Sequence, residues 1–149
     1  MGMELSEDAA FETELRKQLA YWQKALYLQD WNIDLRVVRQ WEMSDFTTLA
    51  QCQWFIQRKD AIIQVLAPAD LDGVSRRFIH GEECDYDISL VHELLHLHFA
   101  PFHKDEDEVG HEQAINAISR GLVNVWRTKD TAPVETPLQH VQSNKEGYL

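Results

Sequence analysis

Three features of the chain predict an α+β fold. Near the N-terminus, apolar residues recur every three or four positions. Three following segments alternate apolar and polar residues, and two further helical segments come after them. Together they predict an N-terminal helix, a small three-stranded sheet that is antiparallel in part, and two later helices packed on that sheet.

The first helix is expected over about 7–29. Ser6 can cap it, and Glu7 and Asp8 fall in the first turn, where negative charge complements the helix dipole. Phe11, Leu15, Leu19, Trp22 and Leu26 then form one amphipathic stripe, read as core. Trp31, Ile33, Leu35 and Val37 alternate with Asn32, Asp34 and Arg36, the period of a half-buried strand. A second strand is expected over 49–57, where Ala50, Cys52, Trp54 and Ile56 alternate with Gln51, Gln53 and Gln57. Arg58-Lys59-Asp60 is a polar break short enough for a hairpin turn, so the next strand, over 61–67, should run antiparallel to it until Pro68 ends it. The segment 71–86, with Gly73, Gly81 and mixed charges, reads as a loop.

Residues 88–100 hold the most informative pattern in the chain. The stretch has no Gly or Pro and carries Ile88, Leu90, Val91, Leu94, Leu95, Leu97 and Phe99, so it reads as a buried helix that stops near Pro101. Within it stands His92-Glu93-Leu94-Leu95-His96. Residues four apart share a helical face, so both imidazoles can point at one metal ion. Glu93 is beside the first of them, free to take a proton from a water at the metal. Burying two imidazoles and a carboxylate in such a helix is costly unless a group such as a metal compensates them.

A catalytic zinc commonly has three protein ligands and keeps a fourth position for water. The last helix, expected over about 108–127 with Ile115, Ile118, Leu122 and Val125 as its inner stripe, is the natural donor of the third. Glu112 lies far enough after His96 for the chain to turn through 101–110 and return, and shares a face with Ile115, Asn116 and Ser119. Asn116, one turn on, is placed to hold a ligand imidazole by its amide oxygen. Competing third ligands are His111, which points about 100° away around the helix, and Glu108, His98 and His103. His98 otherwise reads as a partly exposed helix residue. His103 reads as a surface residue or as a histidine beside the cleft that stabilises an oxyanion.

The run Val91-His92-Glu93-Leu94-Leu95-His96-Leu97, followed by Glu112-x-x-x-Asn116, resembles the gluzincin zinc metallopeptidases. It is closest to their compact minigluzincin-like and phage-type forms, and is similar to the ImmA/IrrE peptidases. Outside the motif the likeness is one of element order, from about residue 31 to 126. It implies a compact zincin-like domain, read over 1–127; the segment 128–149, with Pro133, Pro137 and few apolar residues, reads from its composition as a flexible or loosely docked tail. The likeness further implies His92, His96 and Glu112 as ligands of Zn2+, Glu93 as general base and Asn116 as the supporting residue, acting on a peptide or protein substrate. The sequence departs from the likeness at His98, usually apolar there, and at Asn116, often an aspartate. No Tyr or His matches the usual transition-state stabiliser. Two other readings stay open: a SprT-like metalloprotease with His111 as third ligand, and a non-catalytic, zinc-stabilised accessory protein of a phage or mobile element.

Composition narrows the partners. The 149 residues suit one domain, and 44% hydrophobic residues with five Trp can fill its core. A net charge of −11, from 25 acidic and 14 basic residues, repels phosphate backbones and anionic membranes, so no nucleic acid is expected as partner. No apolar run reaches the length of a membrane span. The acidic first ten residues lack the order of a secretory signal, and Cys52 and Cys84 are too few for a disulfide framework, so a cytoplasmic location is expected.

Overall fold

The computed structural model describes residues 2–71, 78–79, 82–83 and 85–129. The expected α+β architecture is present. In chain order come α1 (Gly2–Ala25), β1 (Asn32–Val38), β2 (Ala50–Phe55), β3 (Asp60–Leu66), β4 (Phe78–Ile79), β5 (Glu82–Glu83), α2 (Tyr86–Phe99) and α3 (Glu108–Thr128). Beyond residue 129, the tail expected over 128–149 lies outside the described residues, as does Cys84.

α1 differs from expectation at both ends. It begins at Gly2, so Ser6 lies inside the helix and does not cap it; no proline interrupts the stretch. It ends at Ala25, short of residue 29, because Tyr27 turns into the left-handed region at φ 57. The Leu28 amide then donates to the Gln23 carbonyl (2.8 Å) and the Tyr27 amide to that of Lys24 (3.1 Å), the double bond of a Schellman cap. A left-handed non-glycine residue costs about 1–2 kcal/mol. The turn also buries Leu28 to 1% exposure, and full leucine burial gains about 1.5–3 kcal/mol, enough to hold the turn.

The sheet has the order β1-β3-β2. β3 pairs antiparallel with β2 across the tight turn at 56–59, and parallel with β1, Leu35 standing opposite Ile63. One face of the sheet carries buried Leu35, Ala50, Ala61, Ile63 and Val65, with Cys52 and Trp54 continuing that row along β2. Between β1 and β2, the 39–49 loop is fixed rather than loose. Asp70 accepts two bonds from the Arg39 guanidinium (2.7 and 2.8 Å), and Val38, Met43, Leu49 and Leu66 form a small second core beneath it. The segment expected to be a loop holds the β4–β5 pair, Phe78 opposite Glu83; two residues are too few to show a period.

α2 is the central helix, packed on β2, α1 and α3. Leu90, Val91, Leu94, Leu95 and Leu97 are buried in it, as its apolar surface requires. Asp85 caps its start, accepting from the amides of Asp87 (3.0 Å) and Ile88 (3.2 Å), and a turn containing Pro101 ends it. The inner stripe of α3 is rotated from the expected one. Ile115, Ser119 and Val123 are buried, with Leu122 and Trp126 partly so, while Ile118 and Val125 are exposed. Ser119 can occupy the centre of that face because its hydroxyl donates to the Asn116 carbonyl at 3.1 Å.

Candidate metal centre

α2 and α3 run back to back in opposite senses. Arg127 at the end of α3 reaches Asp85 and Asp87 at the start of α2, while Glu112 near the start of α3 reaches the histidines further along α2. This pairing places the Glu112 carboxylate over both imidazoles. Its oxygens lie 3.3 Å from His92 Nε2 and 3.0 Å from His96 Nε2, and the two ring nitrogens are 3.2 Å apart. One ligand atom from each of His92, His96 and Glu112 lies within 4.8 Å of the others, a group in range to hold a metal ion. His98, His103, Glu108 and His111 belong to no such group among the described residues. His98 instead donates from Nε2 to the Leu26 carbonyl at 2.6 Å, tying α2 to the turn after α1.

The chemistry of the donors suits a cation. Burial holds both imidazoles below the usual histidine range, against the raising effect of the Glu112 charge, so each ring tends to be neutral with a lone pair to offer. Asn116 of α3 borders the same cleft as His92 and favours its charged form. On the other side, the Trp54 indole stacks on His96, 5.8 Å between centroids and 17° between planes.

Glu93 is 8% exposed and borders the cleft. Burial first, and the Glu112 charge second, lift it well above the usual carboxylate range. A divalent ion at the cluster would reverse this, since its charge favours the ionised carboxylate. All four groups border one cleft of about 540 Å³, walled by β2 and the 39–49 loop on one side and by α2 and α3 on the other.

Cys52, Trp54 and Arg120 are among the residues of this cleft to which the sequence did not point. Arg120 was the most accessible to sequence reasoning, since it continues the four-residue spacing of Glu112 and Asn116. Cys52 and Trp54 were read only as one face of a strand. Burial raises the Cys52 thiol far above its ordinary range, with the Glu93 charge adding to it, so the side chain is an inert wall.

Comparisons with protein-family models, with curated proteins and with solved structures find no match. No helix among the described residues is long and apolar enough to cross a membrane.

Proposed function

We propose that the chain is a zinc-dependent peptidase of gluzincin type, with His92, His96 and Glu112 as ligands and Glu93 as general base. The observation that carries this reading is the convergence of the three donor groups, the imidazole nitrogens 3.2 Å apart and each 3.0–3.3 Å from one of the Glu112 oxygens, beside a buried carboxyl in an open cleft. Atoms bound about 2.0–2.1 Å from a tetrahedral zinc stand about 3.3 Å apart, so the donors are already near the spacing zinc asks for. A purely structural site gains nothing from a buried carboxyl next to the metal, whose ionised form costs stability.

When bound, zinc supplies Lewis acidity, making a water more acidic and a carbonyl more electrophilic. The remaining work falls to the protein. Glu93 takes a proton from the attacking water and delivers it to the leaving amine nitrogen. Asn116 keeps the His92 ring oriented, and Trp54 shields one face of His96. β2 is the edge strand beside the cleft, so an extended peptide can pair with its outer edge and lie across the cluster. A cytoplasmic setting belongs to this reading, since the chain has only two cysteines.

The test compares zinc-loaded protein with its Glu93→Gln variant on an unfolded protein and a randomised peptide pool, products being read by mass spectrometry. Cleavage by the first, and a loss of roughly 100-fold or more in the second with zinc retained, is expected. Loss of zinc in Glu93→Gln would make that residue a ligand and overturn the scheme. Full zinc occupancy with no cleavage would favour a zinc-stabilised accessory protein.

A further inference from the structure

Glu112, Asn116 and Arg120 follow one another at four-residue spacing, so they share the face of α3 that borders the main cleft. Arg120 stands about 12 Å further along the helix axis than Glu112. Because α2 and α3 run in opposite senses, it falls between His92 and Asp87 of α2, where Ile88 and Ser89 line the cleft. The strand wall follows the same course. Trp54 stacks on His96, and Cys52 is near enough to Glu93 to feel its charge, so the row continues through Ala50 towards the start of α2. The cleft is therefore a groove along β2, with the donor cluster towards one end and Arg120 towards the other. Arg120 is the one Lys or Arg among the described residues that line it. Asp85, which also borders the groove, is already bound by Arg127 at 2.7 and 2.9 Å, which offsets its charge.

We infer that Arg120 is a specificity residue, resting on the peptidase reading above, that receives a carboxylate of the substrate roughly two to four residues from the scissile bond. Distance sets the position. An extended peptide advances about 3.3 Å per residue, so about 12 Å spans roughly three to four residues, and the long arginine side chain can shorten that span. Chemistry sets the group. A guanidinium is always charged and presents five N–H donors in a planar fork that fits both oxygens of a carboxylate, so one neighbour does not exhaust it. Arg120 is half-buried, where such a bond is screened less than on an open surface. The carboxylate can belong to an Asp or Glu side chain or to the free C-terminus of a short peptide, and Arg120 meets the same group in both. Over long range the net charge of −11 works the other way and draws in basic peptides. The preference is therefore confined to one position of the substrate and does not extend to acidic sequences at large.

The experiment treats randomised octapeptides with zinc-loaded protein, one pool with free and one with amidated C-termini, and sequences the products. Enrichment of Asp and Glu at one position in both pools, roughly two to four residues from the cut, identifies a side chain as the source. Cleavage of the free pool alone, at that distance from its end, identifies the terminal carboxylate. Binding without turnover is then read by calorimetry in zinc-loaded Glu93→Gln protein. The best-cleaved peptide is compared with a counterpart that has an amide in place of the carboxylate, which should bind roughly 10-fold more weakly or worse. Adding Arg120→Gln should erase that ratio. Where the source is a side chain, Arg120→Glu should transfer the preference to Lys or Arg at the same position. A ratio of two peptides in one preparation does not change with the folded fraction. Equal binding of the two peptides by protein with Arg120 intact, or the same ratio in Arg120→Gln, overturns the role of Arg120 and leaves the peptidase reading standing. Neither cleavage nor binding of any peptide overturns both.

Discussion

The Trp54 indole lies almost parallel to the His96 imidazole, 17° between planes and 5.8 Å between centroids, so a strand residue braces a helix histidine of the candidate metal centre. The contact fixes the ring that Glu112 approaches at 3.0 Å from α3. Groups that hold a ligand in place commonly contribute about 10–100-fold in metal affinity. Trp54→Leu is therefore expected to weaken zinc binding roughly 10-fold, with Trp54→Phe intermediate, in a competition titration against a chelator. Unchanged affinity in Trp54→Leu would show that packing elsewhere orients His96.

Glu93 carries an opposite cost. Burial and the Glu112 charge lift its carboxyl well above the usual carboxylate range, so holding it ionised in the folded protein costs stability. In metal-free protein at neutral pH, Glu93→Gln should raise the melting temperature, by about 2–4 °C per kcal/mol for a chain of this size. Calorimetry of the two metal-free proteins checks it, and a lower melting temperature in the variant would mean that the carboxyl is well satisfied.

The far ends of α2 and α3 are clamped together. Arg127 donates to Asp85 (2.7 and 2.9 Å) and to Asp87 (2.8 Å), while Asp85 also caps α2. Burial alone would raise the Asp85 carboxyl, but the guanidinium and the cap amides prevail and hold it below the usual range. A depressed folded-state pKa gives stability that is present above the unfolded value, about 3.8, and is lost as pH falls through the folded one. Asp85→Asn should accordingly cost about 1–2 kcal/mol at neutral pH, with the difference from wild type shrinking in acid below that value. Urea midpoints across that range decide it; a difference independent of pH would assign the effect to something other than charge.

The order of elements was legible because each announces itself locally. The period of two in residues 32–38 and 50–55 needs no knowledge of neighbours, and neither does the shared face of His92 and His96. Glu112 could be singled out for the same reason, by its helical spacing to Ile115 and Asn116. Non-local facts were not legible. That β1 runs parallel to β3, and that β2 is the edge against α2, depends on pairing across the chain, so Trp54 was seen as a strand residue and not as a wall of the site. The stripe of α3 was misplaced because apolarity favoured Ile118 and Val125, whereas the buried face is centred on Ser119, polar by sequence and satisfied within its own helix. The end of α1 escaped notice because Tyr27 takes a conformation usually left to glycine.

The most direct test of the account is a calorimetric titration of zinc into metal-free wild type, Glu112→Ala and His111→Ala protein. One zinc per wild-type chain is predicted, with affinity falling about 100-fold or more in Glu112→Ala and staying within a few-fold of wild type in His111→Ala. Retained affinity in Glu112→Ala together with its loss in His111→Ala would contradict the shared site of His92, His96 and Glu112.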